Sequence, residues 1–573
     1  MKKLLELIFP VMTWGPRYSL GRFRSDLVAG SVVLFITVPQ VIAYAFLAGM
    51  PAEAGLYASM MSLVGYAVFG SSRALAVGPT AIVGIMTLEV ASSFAIPGTI
   101  DYTETVVQLC VVTGIVLIVL RVVNFGSVIS FLSHAVVTGF ITAAAILIIS
   151  SQFPLMIGLA SSPDTSIVGV YSYLAEEAGQ FNQAVLSVSL IAVAALIFCR
   201  SYLGLLLKRA GLADAVIDSL VKSGPMYAVV IGVVSVRLFS LDTVFGVPVV
   251  GHIPTVLPEI NIVLMSLERF QVLFPSALLL SMVIFMESAS IGTAIASKAR
   301  EKINPNQELV GLGVANLGSS LVGGFPVAGS FSRSIINFSS GSVSPVASLV
   351  TAFLVMITIL LFGTLFFHLP KGVLSAIIVI SAWQLIDFQA VRKIFGFNTT
   401  DAVTFTFTFL AVLSLGVESG VLMGIAISFV LLIRSSSKPH IAVVGRVGDS
   451  EHFRNIERYD ARTSPNLLAL RVDESLYFVN TRFIETFILN DVADRHELQH
   501  VLLICTATNF IDTSGLVMLE ELSENLAEVG VTLHMAEVKG PVMDKLKGTG
   551  FYRNMSGRIF FTADIAMKEL TGV

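Results

Sequence analysis

Charge is what this chain has least of. Asp, Glu, Lys and Arg make up 13% of its 573 residues, about half the share of an ordinary soluble domain. Lipid rather than water is therefore expected to be its main solvent. The formal net charge of −4 leaves no basic field for holding nucleic acid. The three cysteines, Cys110, Cys199 and Cys505, stand far apart, so neither a disulfide framework nor a metal or redox spacing is implied. No Gly-Lys pair occurs, which excludes a phosphate-binding loop and ATP-driven pumping through one. The first residues lack a clean apolar core followed by a small-residue cleavage site, so a removable signal is not expected. Residues 1–25 read instead as a short, basic, interfacial lead-in.

What the chain has is apolar length. Hydrophobic residues make up 55%, and the mean hydropathy is +0.85. Crossing ~30 Å of hydrocarbon takes about 20 apolar residues, and about fourteen such runs lie between residues 27 and 436, several short or broken by Gly and Pro. Counting alternately from the basic N-terminus puts Arg73, Arg121, the Arg200–Lys222 segment, Lys298, Arg300, Lys302, Arg392, Lys393 and Arg434 on one side. The segment 151–182, with no Lys or Arg, falls on the other. The positive-inside rule then predicts an even number of spans with both termini cytoplasmic; the expected location is a plasma (inner) membrane.

Composition changes near residue 437, at the Ser/Lys/Pro stretch Arg434–His440. The expected organisation is a transmembrane domain over 26–437 and a soluble domain over 438–573. The soluble part alternates strand-like NLLALRVD, HVLLICTA and VTLHMAEV with amphipathic helical stretches, which favours a small α/β sheet with packed helices.

Two interrupted apolar segments carry the chemistry. In SSRALAVGPTAIVGIM, Gly78-Pro79 opens a span; in GGFPVAGSFSRSIINF, Gly329, Ser330, Ser332 and Arg333 open one too short to cross alone. A helix beginning at membrane depth presents unpaired N–H groups and about half a positive charge to whatever lies before it. Two such starts facing one another would make an anion site, and paired discontinuous helices are the sequence mark of a transporter site. Taken singly, each Gly or Pro could merely kink a packed helix. Arg333 weighs against that, because a cation inside the bilayer is costly and usually functional.

The stretch DLVAGSVVLFITVPQVIAYAFLAGMPAEAGLYASMMSLVGYAVFGSSRALAVGPTA resembles the opening signature of the SulP family of sulfate permeases and anion exchangers. MESASIGTAIASKAREKINPNQELVGLGVANLGSSLVGGFPVAGSFSRSIINF resembles its second signature, and the C-terminal region with NFIDTSGLVMLEEL resembles the STAS domain. The resemblance spans nearly the whole chain. It implies a polytopic α-helical fold of about fourteen transmembrane segments in two inverted repeats of seven, with uracil-permease-like core (segments 1–4 and 8–11) and gate (5–7 and 12–14) domains, plus a cytoplasmic α/β STAS domain. It also implies an anion bound between the half-helices of segments 3 and 10, with Gln40, Tyr44, Gly78, Pro79, Thr80, Ser330, Phe331, Ser332 and Arg333 at the site and Glu287 beside it. Many bacterial relatives carry glutamate where this chain has Gln40, which leaves any coupling role to Glu287.

Each residue also has a plainer reading. Gln40 can donate to an oxyanion or bridge two helices; Tyr44 can wall the site or simply pack. Near mid-span, the ionised form of Glu287 costs about 2.5–3.5 kcal/mol on insertion scales, which suits a residue that takes up a proton with the anion. A structural pair with Arg333 or a sodium site are the alternatives; relatives using sodium place a hydroxyl where this chain has Ile291. Other motifs mislead. His496-Glu497-Leu498-Gln499-His500 matches H-E-x-x-H, but it straddles a helix end and a strand start, so zinc chemistry is not expected. Ser514 in Asp512-Thr513-Ser514-Gly515 sits where the related anti-sigma-factor antagonists are phosphorylated, though a helix cap explains that sequence too. Gly416, Gly420 and Gly424 allow close helix contact within the gate.

The expectation is a secondary active anion transporter, not an enzyme. Sulfate taken up with protons comes first; bicarbonate or a dicarboxylate, with protons or sodium, comes next, then a channel or exchanger. No cofactor is expected. Its partners would be the anion, the coupling ion, lipid, a second copy of the chain as homodimer, and a cytoplasmic regulator at the STAS domain.

Overall fold

The computed structural model describes residues 10–126, 133–162, 164, 166–263, 265–448 and 450–571. Residues 1–9 of the basic lead-in expected over 1–25, and the first part of the run near 127–150, lie outside them. The chain divides into two compact units, Met1–Ala426 and Ile427–Val573. The linker expected from Arg434 is helical as far as Ser437, where the Ser437 hydroxyl donates back to the Arg434 carbonyl.

The first unit contains α1 (Leu20–Leu47), α2 (Ala52–Phe69), the extended pair β1 (Val77–Gly78), α3 (Ala81–Ser92), α4 (Ile100–Val122), α5 (His134–Met156), α6 (Gln183–Phe198) and α7 (Gly224–Phe239). It continues with α8 (Leu267–Ala299), α9 (Pro305–Leu321), β2 (Ala328–Gly329), α10 (Phe331–Ser339), α11 (Val346–Phe362), α12 (Lys371–Trp383), α13 (Thr399–Leu415) and the first ten residues of α14 (Val417–Ser437), whose remainder belongs to the second unit. Among the described residues, 8 helices are long and apolar enough to cross a membrane alone, or 9 if a bent pair counts as one. Length and apolarity alone thus return fewer spans than fourteen. α3 and α10, with 12 and 9 residues, and α9 and α13, with 17 each, fall short of that length; a helix that starts beside protein groups need not be full length.

Packing sorts these helices into two groups. α1, α2, α4, α8, α9 and α11 pack on one another, and α3 and α10 lie against α1 and α8. In the second group α5 and α6 pack on α12, α7 on α6, and α13 on α5; Gly420 and Gly424 of α14 seat against Val412 and Thr408 of α13. The grouping matches the expected core and gate. In the core, contact between α1 and α2 is backbone-close: a Cβ on Gly55 would lie 2.1 Å from the Val41 carbonyl oxygen.

Two buried carboxylates hold the core's turns. Asp26 of α1 accepts from the Val343 and Ser344 amides, the Ser344 hydroxyl and the Tyr18 hydroxyl, at 2.6 to 3.1 Å. Glu308 of α9 accepts from the Ser71 amide and hydroxyl and from Tyr66, at 2.6 to 2.9 Å. Each pins the backbone at one end of a discontinuous segment, and full satisfaction is what makes a buried carboxylate tolerable.

The second unit is a six-stranded sheet in the order β4-β3-β5-β6-β7-β8. Its strands are β3 (Ile441–Arg446), β4 (Phe453–Asn455), β5 (Leu467–Val472), β6 (His500–Ile504), β7 (Thr532–Ala536) and β8 (Ile559–Phe560). β5 to β8 pair in parallel, while β3 runs antiparallel to both β4 and β5. The crossovers include α15 (Thr481–Ala493), α16 (Thr513–Glu528) and α17 (Gly540–Leu546), and α18 (Ala563–Thr571) follows β8. β5, β6, β7 and the first three helices match the periodicity read from sequence. The β3–β4 hairpin and the short β8 carried no comparable signal.

Candidate functional site

The two interrupted segments meet. Val77 and Gly78 pair antiparallel with Gly329 and Ala328, and the Ser330 amide donates to the Ala76 carbonyl at 3.0 Å. Side chains lock the crossing from behind. Ser334 Oγ accepts from the Ala76 amide at 2.9 Å, Asn337 donates to the Ala74 carbonyl at 3.1 Å, and Ser288 Oγ accepts from the Gly329 amide at 2.8 Å. α3 and α10 therefore start beside one another. Their cap residues, Thr80 and Ser330, use no side chain to satisfy the first-turn amides, so both helix starts keep their donors available.

A cavity of about 260 Å³ opens at these starts, smaller than the ~300–1,000 Å³ of pockets for drug-sized ligands. Thr80, Ser330, Phe331, Ser332, Gln40, Tyr44 and Glu287 line it. Arg333, expected at the site, does not: it is 2% exposed and its Nη2 donates to the Pro79 carbonyl at 2.7 Å. The guanidinium ties one half-helix to the entry of the other, and Gly78 gives it room, since a Cβ there would sit 3.2 Å from Nη1. Gly78 and Pro79 likewise shape the crossing without bordering the cavity.

Several buried polar atoms at the cavity lack a partner: Gln40 Oε1, Thr80 Oγ1 and Glu287 Oε2. Each such atom costs about 1–3 kcal/mol unless something satisfies it, so their clustering at one cavity marks a place for a polar ligand. Glu287 and Arg333 attract one another electrostatically, but no close ion pair joins them among the described residues. Gln40 Nε2 lies 3.4 Å from Ser381 Oγ of α12, bridging core and gate. A hydroxyl donates as readily as it accepts, so turning the amide would free Nε2 as a donor into the cavity.

Sequence reasoning missed the gate-side wall. Ser381, Gln384, Arg200 and Lys222 also line the cavity. Lys222 reaches Ser339 Oγ at 2.6 Å, at the far end of α10. Arg200 sits in a π turn, Cys199–Leu203, that continues α6; such turns often accompany functional positions. These cations had signalled only membrane orientation, because nothing in their spacing relates them to the half-helices.

In the second unit, Asp512 rather than Ser514 caps α16, accepting from the Gly515 amide at 2.8 Å. Ser514 is exposed on the first turn. His496 lies in a turn and His500 on β6, so the H-E-x-x-H residues share no helix face. No metal-ligating cluster occurs among the described residues. His534 instead forms a pair with His500. Its Nδ1 accepts from the Arg558 amide at 3.2 Å, which leaves Nε2–H to donate to His500 Nδ1 at 3.3 Å. Burial, then the neighbouring His500, lowers the His534 pKa from 6.5 to about 4.

Residues 23–408 match the sulfate permease family, and residues 458–566 match the STAS domain. This chain belongs to the sulfate permease family. It is 31% identical over 569 residues to probable sulfate transporter 4.2 of Arabidopsis thaliana, covering 97% of this chain and 82% of that one. It is 30% identical over 558 residues to high affinity sulfate transporter 2 of Stylosanthes hamata, covering 95% and 83%. Its fold matches that of the murine Solute Carrier 26 family member A9 anion transporter in the inward-facing state, with a TM-score of 0.88 at 22% identity over 100% of this chain and 95% of that one. As a member of the sulfate permease family, the chain is a multi-pass membrane transporter and not an enzyme.

Proposed function

We propose that this permease takes up sulfate together with protons across a plasma (inner) membrane by alternating access, holding the anion between the starts of α3 and α10. The observation that carries the reading is the set of unpartnered polar atoms, Gln40 Oε1, Thr80 Oγ1 and Glu287 Oε2, gathered at a cavity between two uncapped helix starts. An oxyanion would take hydrogen bonds from the first-turn amides and from the Thr80, Ser330 and Ser332 hydroxyls. Helix starts contribute about 0.3–2 kcal/mol each, enough for binding weak enough to permit release. Arg333 would add positive potential from behind while keeping the two starts aligned.

Protonation of Glu287 would supply a donor where a carboxylate would repel the anion, and this links proton to cargo. Ile291, one turn along and buried, offers no side-chain oxygen to sodium, which favours the proton. Two curated relatives carry sulfate transporter in their names, which puts sulfate ahead of bicarbonate and dicarboxylates. The remaining parts of the reading are cytoplasmic termini, homodimers, and a STAS domain that meets a cytoplasmic regulator, with Ser514 its exposed candidate for phosphorylation.

The test is uptake of labelled sulfate into liposomes holding the purified full-length protein, with bicarbonate and dicarboxylates as competitors. Sulfate should accumulate against its gradient when the outside is acid, and Glu287→Gln should remove that dependence. Uptake by the variant that still follows the proton gradient in full would refute Glu287 coupling. Flux that never runs uphill would make the protein a channel.

A further inference from the structure

A second membrane carboxylate, Glu89, has no part in the anion site, although it rides on the same half-helix. It lies nine residues beyond Thr80 on α3, about 13 Å along the axis, on the side away from the cavity. Its Oε2 accepts from the Val417 amide at 3.0 Å, at the first residue of α14. α3 belongs to the core group and α14 to the gate group, so this bond crosses the seam between them. A second bond crosses close by with opposite polarity: Ser276 of α8 donates to Glu418 Oε1 of α14 at 2.8 Å. Deeper along the seam, Val283 and Met286 of α8 face Phe140 of α5 and Val421 of α14.

Gly416 is shaped for this contact. Its φ of +86° is one that other residues rarely adopt, and a Cβ there would lie 2.2 Å from Glu89 Oε1. The first glycine of the Gly416, Gly420, Gly424 series therefore admits a carboxylate, whereas the other two seat α14 on α13.

We propose that Glu89, docked on the start of α14 and backed by the Ser276–Glu418 bond, is the latch that keeps the transporter closed on the side opposite the cavity and must break for that side to open. Three features make it a latch rather than general packing. It joins a carboxylate to the positive start of a 21-residue helix, a charge-assisted bond about twice as strong as a neutral one. It sits at one end of a rigid rod whose other end borders the anion cavity, so a shift of α3 at the site moves the latch with it. It also spans the seam along which core and gate must slide. The inference rests on the alternating-access reading given above.

Spin labels on Ser93→Cys at the end of α3 and Leu415→Cys at the end of α13 report opening of this side in the full-length protein. The native cysteines Cys110, Cys199 and Cys505 are buried and stay in place, with the unsubstituted chain as labelling blank. Glu89→Gln keeps shape and loses charge, and should raise the ratio of long to short label separations about tenfold. Ser276→Ala should raise it by a smaller factor. In oriented vesicles the half-saturating sulfate concentration should fall on the latched side and rise on the cavity side, because each apparent constant scales inversely with the competent fraction. A merely structural residue would worsen both. Unchanged separations in folded Glu89→Gln and Ser276→Ala proteins would overturn the latch; if Glu89→Gln does not fold, Ser276→Ala decides alone. Absence of sulfate movement by the unsubstituted chain would instead count against the sulfate reading, while label separations still decide the latch.

Discussion

Replacing Arg333 separates two jobs that the sequence could not distinguish. If its guanidinium bound the anion directly, Arg333→Lys would keep the charge and much of the function. The structure has it buried and donating to the Pro79 carbonyl, a task for a planar, rigid donor that a flexible ammonium performs poorly. Arg333→Lys should therefore behave much like Arg333→Met. Hydrogen bonds to charged groups are worth about 1.5–3 kcal/mol, and a buried carbonyl left unpaired costs about 1–3 kcal/mol. A loss of ~2 kcal/mol in holding the two helix starts together corresponds to about a thirtyfold weakening of sulfate binding. Labelled uptake at graded sulfate concentrations reads the affinity, and thermal unfolding in detergent with and without sulfate reads the scaffold. Both should fall in either variant, with sulfate giving little thermal protection. An Arg333→Met protein with unchanged half-saturation and melting would refute the staple, and full activity in Arg333→Lys alone would restore a direct charge contact.

Ser332→Ala and Thr80→Val should each weaken half-saturating sulfate several-fold, about 1 kcal/mol per hydroxyl, while leaving melting without sulfate within a degree or two of the parent. Asp26→Ala and Glu308→Ala should do the reverse, costing about 2–4 kcal/mol of core stability, visible as a lower melting temperature before any change in affinity. In the STAS domain, His534 binds its proton more readily unfolded than folded, since its folded pKa is lowered from 6.5 to about 4. Its contribution is full above about pH 6.5 and lost as pH falls towards 4, up to ~3 kcal/mol. Hydrogen exchange of β6 and β7 in the full-length protein should accelerate across that window, and His534→Leu should flatten the slope. A slope that survives the substitution would assign the acid sensitivity elsewhere.

Much of this architecture was legible in the residues because the bilayer imposes strong local rules. Apolar length is a one-dimensional pattern, and GPT and GSFSRS stand out as polar interruptions of apolar runs. The α/β alternation of the C-terminal region follows from periodicity in the same way. β4 and β8 did not, because two- or three-residue strands owe their existence to a neighbouring strand edge and leave no period of their own.

Partnership is what the linear chain leaves open. Gly78 and Arg333 lie 255 positions apart, and only the crossing of β1 with β2 makes the guanidinium a brace between helices rather than a lining charge. The same holds for Arg200, Lys222 and Ser381 at the cavity wall and for Glu89 on the start of α14. Sequence determined which segments are apolar and which of them are interrupted, since solvation and backbone hydrogen bonding act locally. The tertiary structure alone decided which polar atoms are spent on one another and which remain free, because that depends on atoms brought within 3 Å by packing.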